Sequence, residues 1–578
     1  MAEQDNQQPQ VALNQTPPPP ITVNGGAVPL GSPAPTFSQT VDGKTIVSQE
    51  LHRQGDVVIS SERIPQGNQF ADVVVIQTGA GDDNVQVSQR RNGVLDVQIN
   101  GQPYEITLGA GQQLAVRTGD GNDIIHAADN VRVNMDVRGG DGNDTITTGQ
   151  GRDRVDGGLG DDTIRTRGGR DDVFGGEGND TIDAGDGNDV VYGGNGNDTI
   201  QGGRGKDYLE GGRGNDTIDG GRGNDVISGG QGDDTLRGAR GRDTVYTGAG
   251  ADTVDNQSGR DRVYGQTGED TITAARGARN DVVDVGMTAQ VGTSIVVQGS
   301  DEFRQRVEAD LDMLRSSPAG RQMLAELDRI ADPTNGNGNR VTITELQNIT
   351  NGTATPVTPN VFMQQQADGT VVAGAGENAT VAYNPSFHSD SFSSPAVVLF
   401  HELSHAKDIV NGSIQNGFYS GPGPDNGNVP NAERQAVGRP NTGLPFDFDG
   451  NPATAPTRDN PAAFTENGLR AEMGLPSRQN YTVPQSALTA PGTLSAGGAI
   501  PHDHHLESMI RALETGGDSA LRDQTRLSRQ QDPAMLDLAR EGATQADMKQ
   551  REQVLLQQEQ QAPPQIELTT VPGAAIRR

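Results

Sequence analysis

From Asp144 an aspartate returns at every ninth residue, through 153, 162, 171, 180, 189, 198, 207, 216, 225, 234, 243, 252 and 261 to Asp270. Two residues after each one stands Ile, Val or Leu, without exception, from Ile146 to Ile272. Gly-x-Gly turns run between them, as in GGEGNDTID and GGNGNDTIQ. A phase kept this strictly leaves few folds open. Each nine-residue unit reads as a short strand and a tight turn, with the aliphatic residue inward and the glycines in conformations that a Cβ hinders. Stacked units then share a thin apolar core. Stacking also sets the aspartates in rows along the turns, where like charges repel unless cations lie between them. Carboxylates and turn carbonyls are hard oxygen donors, which suit Ca²⁺.

Composition agrees with a chain held together by more than apolar burial. Gly accounts for 79 of 578 residues and hydrophobic residues for only 32%, too little for an ordinary core throughout. The net charge of −32 opposes binding to nucleic acid and suits a chain that takes up many cations. The motif GGxGxDxUx resembles the RTX, or haemolysin-type, repeats over about residues 118 to 275. That resemblance implies a parallel β-roll with several Ca²⁺ held in its turns. The expected calcium-ligating residues are Asp144, Asp153, Asp162, Asp171, Asp180, Asp189, Asp198, Asp207, Asp216, Asp225 and Asp234. Repeats 231 to 270 drift, and Arg170, Arg204, Arg213 and Arg222 enter the turns, so weaker or empty sites are expected among them.

The remaining chain divides by composition. Residues 1–43, rich in Pro, Gln, Asn and Ser, read as a disordered leader. Residues 44–143 read as a β-rich region with degenerate repeat copies at TGAGDDNV (78–85) and TGDGNDII (118–125). The roll is expected over 144–275 and connecting strands over 276–300. Helical spacing of Phe303, Val307, Leu311 and Leu314, then of Met323, Leu324 and Leu327, opens an α+β domain over 301–485. Its strand candidates are VTITEL (341–346) and NATVAYNP (378–385). Residues 486–578 read as a polar tail, partly helical or disordered. With no Cys, disulfides and thiolate metal sites are excluded. The N-terminus has neither the basic nor the apolar region of a Sec signal peptide, and no apolar run is long enough to span a membrane.

PAVVLFHELSHAKDIVNG, residues 395–412, carries the chemistry. Ser394 and Pro395 suit a helix start and Gly412 a helix stop. His401 and His405 are one turn apart, so both imidazoles leave on one face. Glu402 is next to the first of them, completing HExxH, in which two His bind Zn²⁺ and the Glu is the general base of a metallopeptidase. A third ligand is needed. The metzincin continuation requires Gly and His where Asp408 and Asn411 stand, which leaves a gluzincin-type site taking a Glu from a later helix. Glu433 in NAERQAVG and Glu466 in TENGLRAEMGLPSRQNY are the candidates. Asp408 is a candidate for orienting a ligand His through Nδ1. Arg470, Arg478 and Tyr481 are candidates for stabilising an oxyanion, with Tyr481 foremost. His502, His504 and His505 fall beyond the domain.

HELSHAKD, NAERQAVG, LPFDFDG and TENGLRAEMGLPSRQNY, in that order, resemble the effector-type zinc metallopeptidases (NleD-like) over roughly 301–485. The resemblance implies a zincin-like fold, a zinc-dependent endopeptidase and protein substrates, including host signalling proteins. It favours Glu433 as the third ligand, with Glu466 as the alternative. The reading is a secreted or host-delivered zinc endopeptidase with a calcium-binding roll. Type I and type III secretion are both conceivable export routes. The alternative is a calcium-dependent structural or adhesive surface protein whose HExxH domain is inactive.

Overall fold

The computed structural model of the chain describes residues 21–24 and 36–478, apart from 42–43, 67–68, 257, 275–280, 287–289, 335, 347–351, 357, 359–360, 387–393, 416, 423–424, 426–428 and 449–454. From 114 to 284 the chain winds about nine turns of a β-solenoid. Strands of one sheet pair in parallel as Ile146↔Ile164 and Ile164↔Ile182, and those of the other as Val155↔Val173 and Val173↔Val191. A coil is therefore eighteen residues: two nonapeptides, one strand in each sheet. The phased aliphatics from Ile146 to Val263 are all buried in one cluster, and Ile272 packs against it half-buried.

The turns need glycine for a concrete reason. Gly176 has φ +119°, and a Cβ there would lie 2.0 Å from the carbonyl oxygen of Gly158 in the preceding coil. Each coil approaches the next backbone to backbone, so a side chain has no room at that position.

The roll extends beyond its expected limits. It starts at 114, and the degenerate copies carry the same ladder bond: Asp83 N–H donates to Asp123 Oδ1 (2.7 Å) and Asp123 N–H to Asp144 Oδ1 (2.8 Å). It ends past 275, because Asp281–Asp284 pairs in parallel with Arg262–Gly265. Antiparallel hairpins close its N-terminal end. Two strands fall within the stretch expected to be a disordered leader. Ile21–Asn24 adds in parallel to Gln102–Thr107, and Thr36–Val41 pairs with Lys44–Gln54. Both cover sheet edges, whose free N–H and C=O groups otherwise invite pairing. The rest of 1–43 and the tail 486–578 lie outside the described residues.

The C-terminal region is a mixed α/β unit. Its four-stranded sheet runs in the order Val296–Gln298, Val341–Glu345, Ala379–Tyr383, Gly352–Thr355, which includes both expected strands. Helix α1 (Asp301–Ser316) is capped by Ser300, whose side chain accepts the N–H of Phe303. Helix α2 (Pro318–Ala331) starts at Ser317, which accepts the N–H of Gly320. Helices α3 (Pro395–Asn411), α4 (Asn431–Val437) and α5 (Glu466–Glu472) follow. No helix among the described residues is long and apolar enough to cross a membrane.

The two sheets of the roll differ on their outer faces. One shows Thr145, Thr163, Thr181, Thr199, Thr217 and Thr235 to solvent. The other carries Phe174, Tyr192, Tyr208, Tyr246 and Tyr264, which are buried in one core with α1, α2 and α3. At its centre the fully buried Asp310 of α1 accepts the hydroxyls of Tyr192 (2.9 Å), Tyr208 (3.0 Å) and Tyr383 (2.8 Å). Beside it Arg306 pairs with Asp172 and lies over the Tyr192 ring. The C-terminal region is thus seated on the roll.

Candidate metal centres

Helix α3 is buried along its length. Pro395 occupies its first turn and Gly412 ends it at φ +70°, as the sequence suggested, but the Ser394 side chain makes no capping bond. His401 and His405 stand on one face with ring centroids 4.9 Å apart. Helix α4 brings Glu433 to both: Oε2 lies 3.3 Å from His405 Nε2 and 3.6 Å from His401 Nε2. One ligand atom from each of the three residues lies within 4.8 Å of the other two, and all three residues are buried. Two imidazole nitrogens and a carboxylate oxygen are a donor set that fits Zn²⁺.

Glu466 stands elsewhere. Its Oε2 is 3.1 Å from His401 Nδ1, the ring atom away from Glu433, although the pair lacks the alignment of a formed hydrogen bond. Arg470 (3.3 Å) and Arg478 (3.1 Å) hold the Glu466 carboxylate. The geometry therefore groups Glu433 with the two histidines, and sets Glu466 behind His401. Asp408, the candidate for orienting a ligand His, lies toward the end of α3. Its carboxylate meets Ser413 (2.8 Å), Asn460 (3.0 Å) and Lys407 (3.0 Å), which ties the last turn of α3 to the loops that follow. Arg470 and Arg478 are engaged with Glu466. Tyr481, His502, His504 and His505 lie outside the described residues.

Burial lowers the affinity of His401 for a proton, but the facing carboxylates of Glu433 and Glu466 outweigh it and raise the group to about 10. Burial likewise opposes ionisation of Glu433, yet His405 and His401 hold it well below the usual carboxylate range. Glu466 is brought to about 2, against its burial, chiefly by Arg478 and His401. A pocket that binds a proton this firmly offers the same lone pairs and negative field to a divalent ion.

The roll has its own polar system. Asp144 N–H donates to Asp162 Oδ1 (2.7 Å), and the same bond to the aspartate eighteen residues on recurs from Asp153→Asp171 (2.9 Å) to Asp252→Asp270 (3.2 Å). Each aspartate so uses Oδ1. The other oxygen, Oδ2, is buried without a hydrogen-bond partner in Asp144, Asp162, Asp171, Asp180, Asp189, Asp198, Asp207, Asp216, Asp225 and Asp234. Asp153 differs, accepting Gly149 N–H on Oδ2 (3.2 Å). Buried orphan carboxylate oxygens are costly unless protonated or bound to a cation. Burial accordingly pushes Asp144 and Asp153 up to about 6, Asp162 to about 8 and Asp171 to about 9. The row of orphan oxygens fits Ca²⁺. Asp123, Asp243, Asp252 and Asp261 are orphaned in the same way, whereas at Asp270 protein donors take over: its Oδ2 accepts Thr247 Oγ1 (2.9 Å) and Gln266 N–H (2.6 Å).

Comparison with known proteins agrees with both systems. Residues 292–481 match the model of the peptidase family M91, described as effector protein. Overlapping segments from 136 to 279 match the RTX calcium-binding nonapeptide repeat. No curated protein matches the chain.

Proposed function

Taking residues 292–481 as a peptidase region of the effector family and residues 136–279 as calcium-binding repeats, we propose that the chain is a zinc-dependent endopeptidase of effector or toxin type, seated on a calcium-binding roll. The observation that carries this reading is the convergence of His401, His405 and Glu433 in a buried pocket, with Glu402 on the same helix. Zinc held there supplies Lewis acidity toward the scissile carbonyl. Glu402 takes the proton of the attacking water and delivers it to the leaving amine. Glu466, braced by Arg470 and Arg478, keeps the His401 ring in the orientation that presents Nε2. Tyr481 remains the candidate for the oxyanion. Helix α3 with HExxH and helix α4 with Glu433 follow the gluzincin order of ligands, which supports a zincin-like fold. The orphan Oδ2 atoms support calcium at the aspartates from Asp144 to Asp234. The substrate class is protein, with a host signalling protein as the expected target after secretion or delivery.

A digest of casein or a peptide library tests the reading. Cleavage is expected from the calcium-loaded chain, lost with a zinc-selective chelator and restored by zinc. Failure of the zinc-loaded chain to cleave any peptide would favour the structural or adhesive alternative.

A further inference from the structure

Helix α5 touches both metal systems. At its start, Glu466 faces His401. At its end, Glu472 is fastened to the roll. Its carboxylate accepts the Tyr246 hydroxyl (3.1 Å) and, on the other oxygen, the N–H of Ala319 at the start of α2 (2.9 Å). Its carbonyl accepts Arg262 Nη1 (2.7 Å) and the Tyr264 hydroxyl (3.1 Å). Thr244 Oγ1 donates to the carbonyl of Met473, the next residue (2.9 Å).

These roll residues do not come from one strand. Thr244 and Tyr246 stand on one rung, Arg262 and Tyr264 on the next, eighteen residues later, paired in parallel. The rings of Tyr246 and Tyr264 stack with centroids 4.9 Å apart. The seat of α5 therefore exists only while successive coils are stacked. Stacking brings buried carboxylates together, Asp243 onto Asp261 and Asp234 onto Asp252 among them, and so depends on a cation to offset their repulsion.

We propose that α5 couples the two metals. Calcium on the roll assembles the seat, the seat fixes Glu472, and α5 then carries Glu466 into place behind His401, so that the pocket binds zinc more tightly. Glu472 is a positioning residue, acting on zinc only through α5. The proposal rests on the zinc reading above and adds a direction of control to it. Because linkage is reciprocal, zinc tightens calcium binding by the same factor.

The test uses the full chain and reads binding, not cleavage. Zinc affinity is measured by competition with a chromophoric chelator at low and at saturating calcium, and hydrogen exchange is followed at residues 466–473. In the wild type, calcium is expected to tighten zinc binding on the order of 10-fold, within the usual range of such couplings, and to slow exchange across α5. The variant Tyr246→Phe/Arg262→Ala/Tyr264→Phe removes donors from the seat and leaves the aspartates and the zinc pocket intact. It is expected to show the same calcium-induced circular dichroism but a coupling factor near one. Equal, tight zinc binding at both calcium levels would overturn the coupling alone. Absence of zinc binding at either level would overturn the zinc reading and the coupling with it. Undiminished coupling in the triple variant would show that α5 is not the link.

Discussion

Replacing Glu402 with Gln is expected to lower peptide hydrolysis on the order of 10³-fold while zinc stays bound, since a positioned general base contributes about 10²–10⁴-fold. Glu402 is buried on α3 between the two histidines in sequence. Gln has the same shape, so helix packing and the His401–His405–Glu433 set stay as they are. What is lost is the ability to accept the proton of an attacking water. Kinetics on any cleaved peptide, paired with metal analysis of the same preparation, separate the two effects. A variant that keeps its rate would remove Glu402 from the mechanism, and one that loses zinc as well would make it a structural residue.

Withdrawing calcium is expected to unfold the roll at neutral and alkaline pH. Each site filled at 100 times its dissociation constant adds about 2.7 kcal/mol, so four sites contribute about 11 kcal/mol, comparable with the roughly 5–15 kcal/mol net stability of a whole domain. Acidity changes the outcome in a defined direction. Burial raises the ladder aspartates from 3.8 to values between about 6 and about 9, with Asp144 at the low end and Asp171 and Asp225 at the high end. The folded chain thus binds more protons than the unfolded one. Without calcium its stability is fully present below about pH 4 and is lost as pH rises through 6 to 9. With calcium the order reverses, because the ion requires the carboxylates ionised. Circular dichroism of the calcium-free chain at pH 5 and pH 8 checks this. Equal folding at both, with no response to calcium, would mean that the ladder does not titrate as described.

Much of this architecture can be read in the sequence, and what was missed has physical causes. The nine-residue phase of Asp and aliphatic residues specified the coil and its core, because an inward side chain and a turn carboxylate recur in every rung. An eighteen-residue phase is present as well. Thr returns at 145, 163, 181, 199, 217 and 235, while Phe174, Tyr192, Tyr246 and Tyr264 fall at multiples of eighteen in the alternate units. Only the longer period distinguishes the solvent face from the face that seats the C-terminal region. Treating all nonapeptides alike hides it. The histidine pair is legible because both imidazoles stand on one helix, a turn apart. The choice between Glu433 and Glu466 was harder, since both lie on short helices distant in sequence from α3 and only tertiary geometry tells Nε2 from Nδ1. Arg470, four residues after Glu466, was the available signal that this carboxylate is held by arginine. For Asp408, helical position alone does not say which neighbours the side chain meets: Ser413, Asn460 and Lys407.

Metal content of purified variants tests the central claim most directly. Mass-spectrometric analysis of the chain, prepared without chelators, is expected to find stoichiometric zinc in the wild type and in Glu466→Gln, and to find it lost in His401→Ala, His405→Ala and Glu433→Ala. Zinc retained by Glu433→Ala but lost by Glu466→Gln would contradict the assigned ligand set, and a wild-type chain without zinc would contradict the enzyme itself.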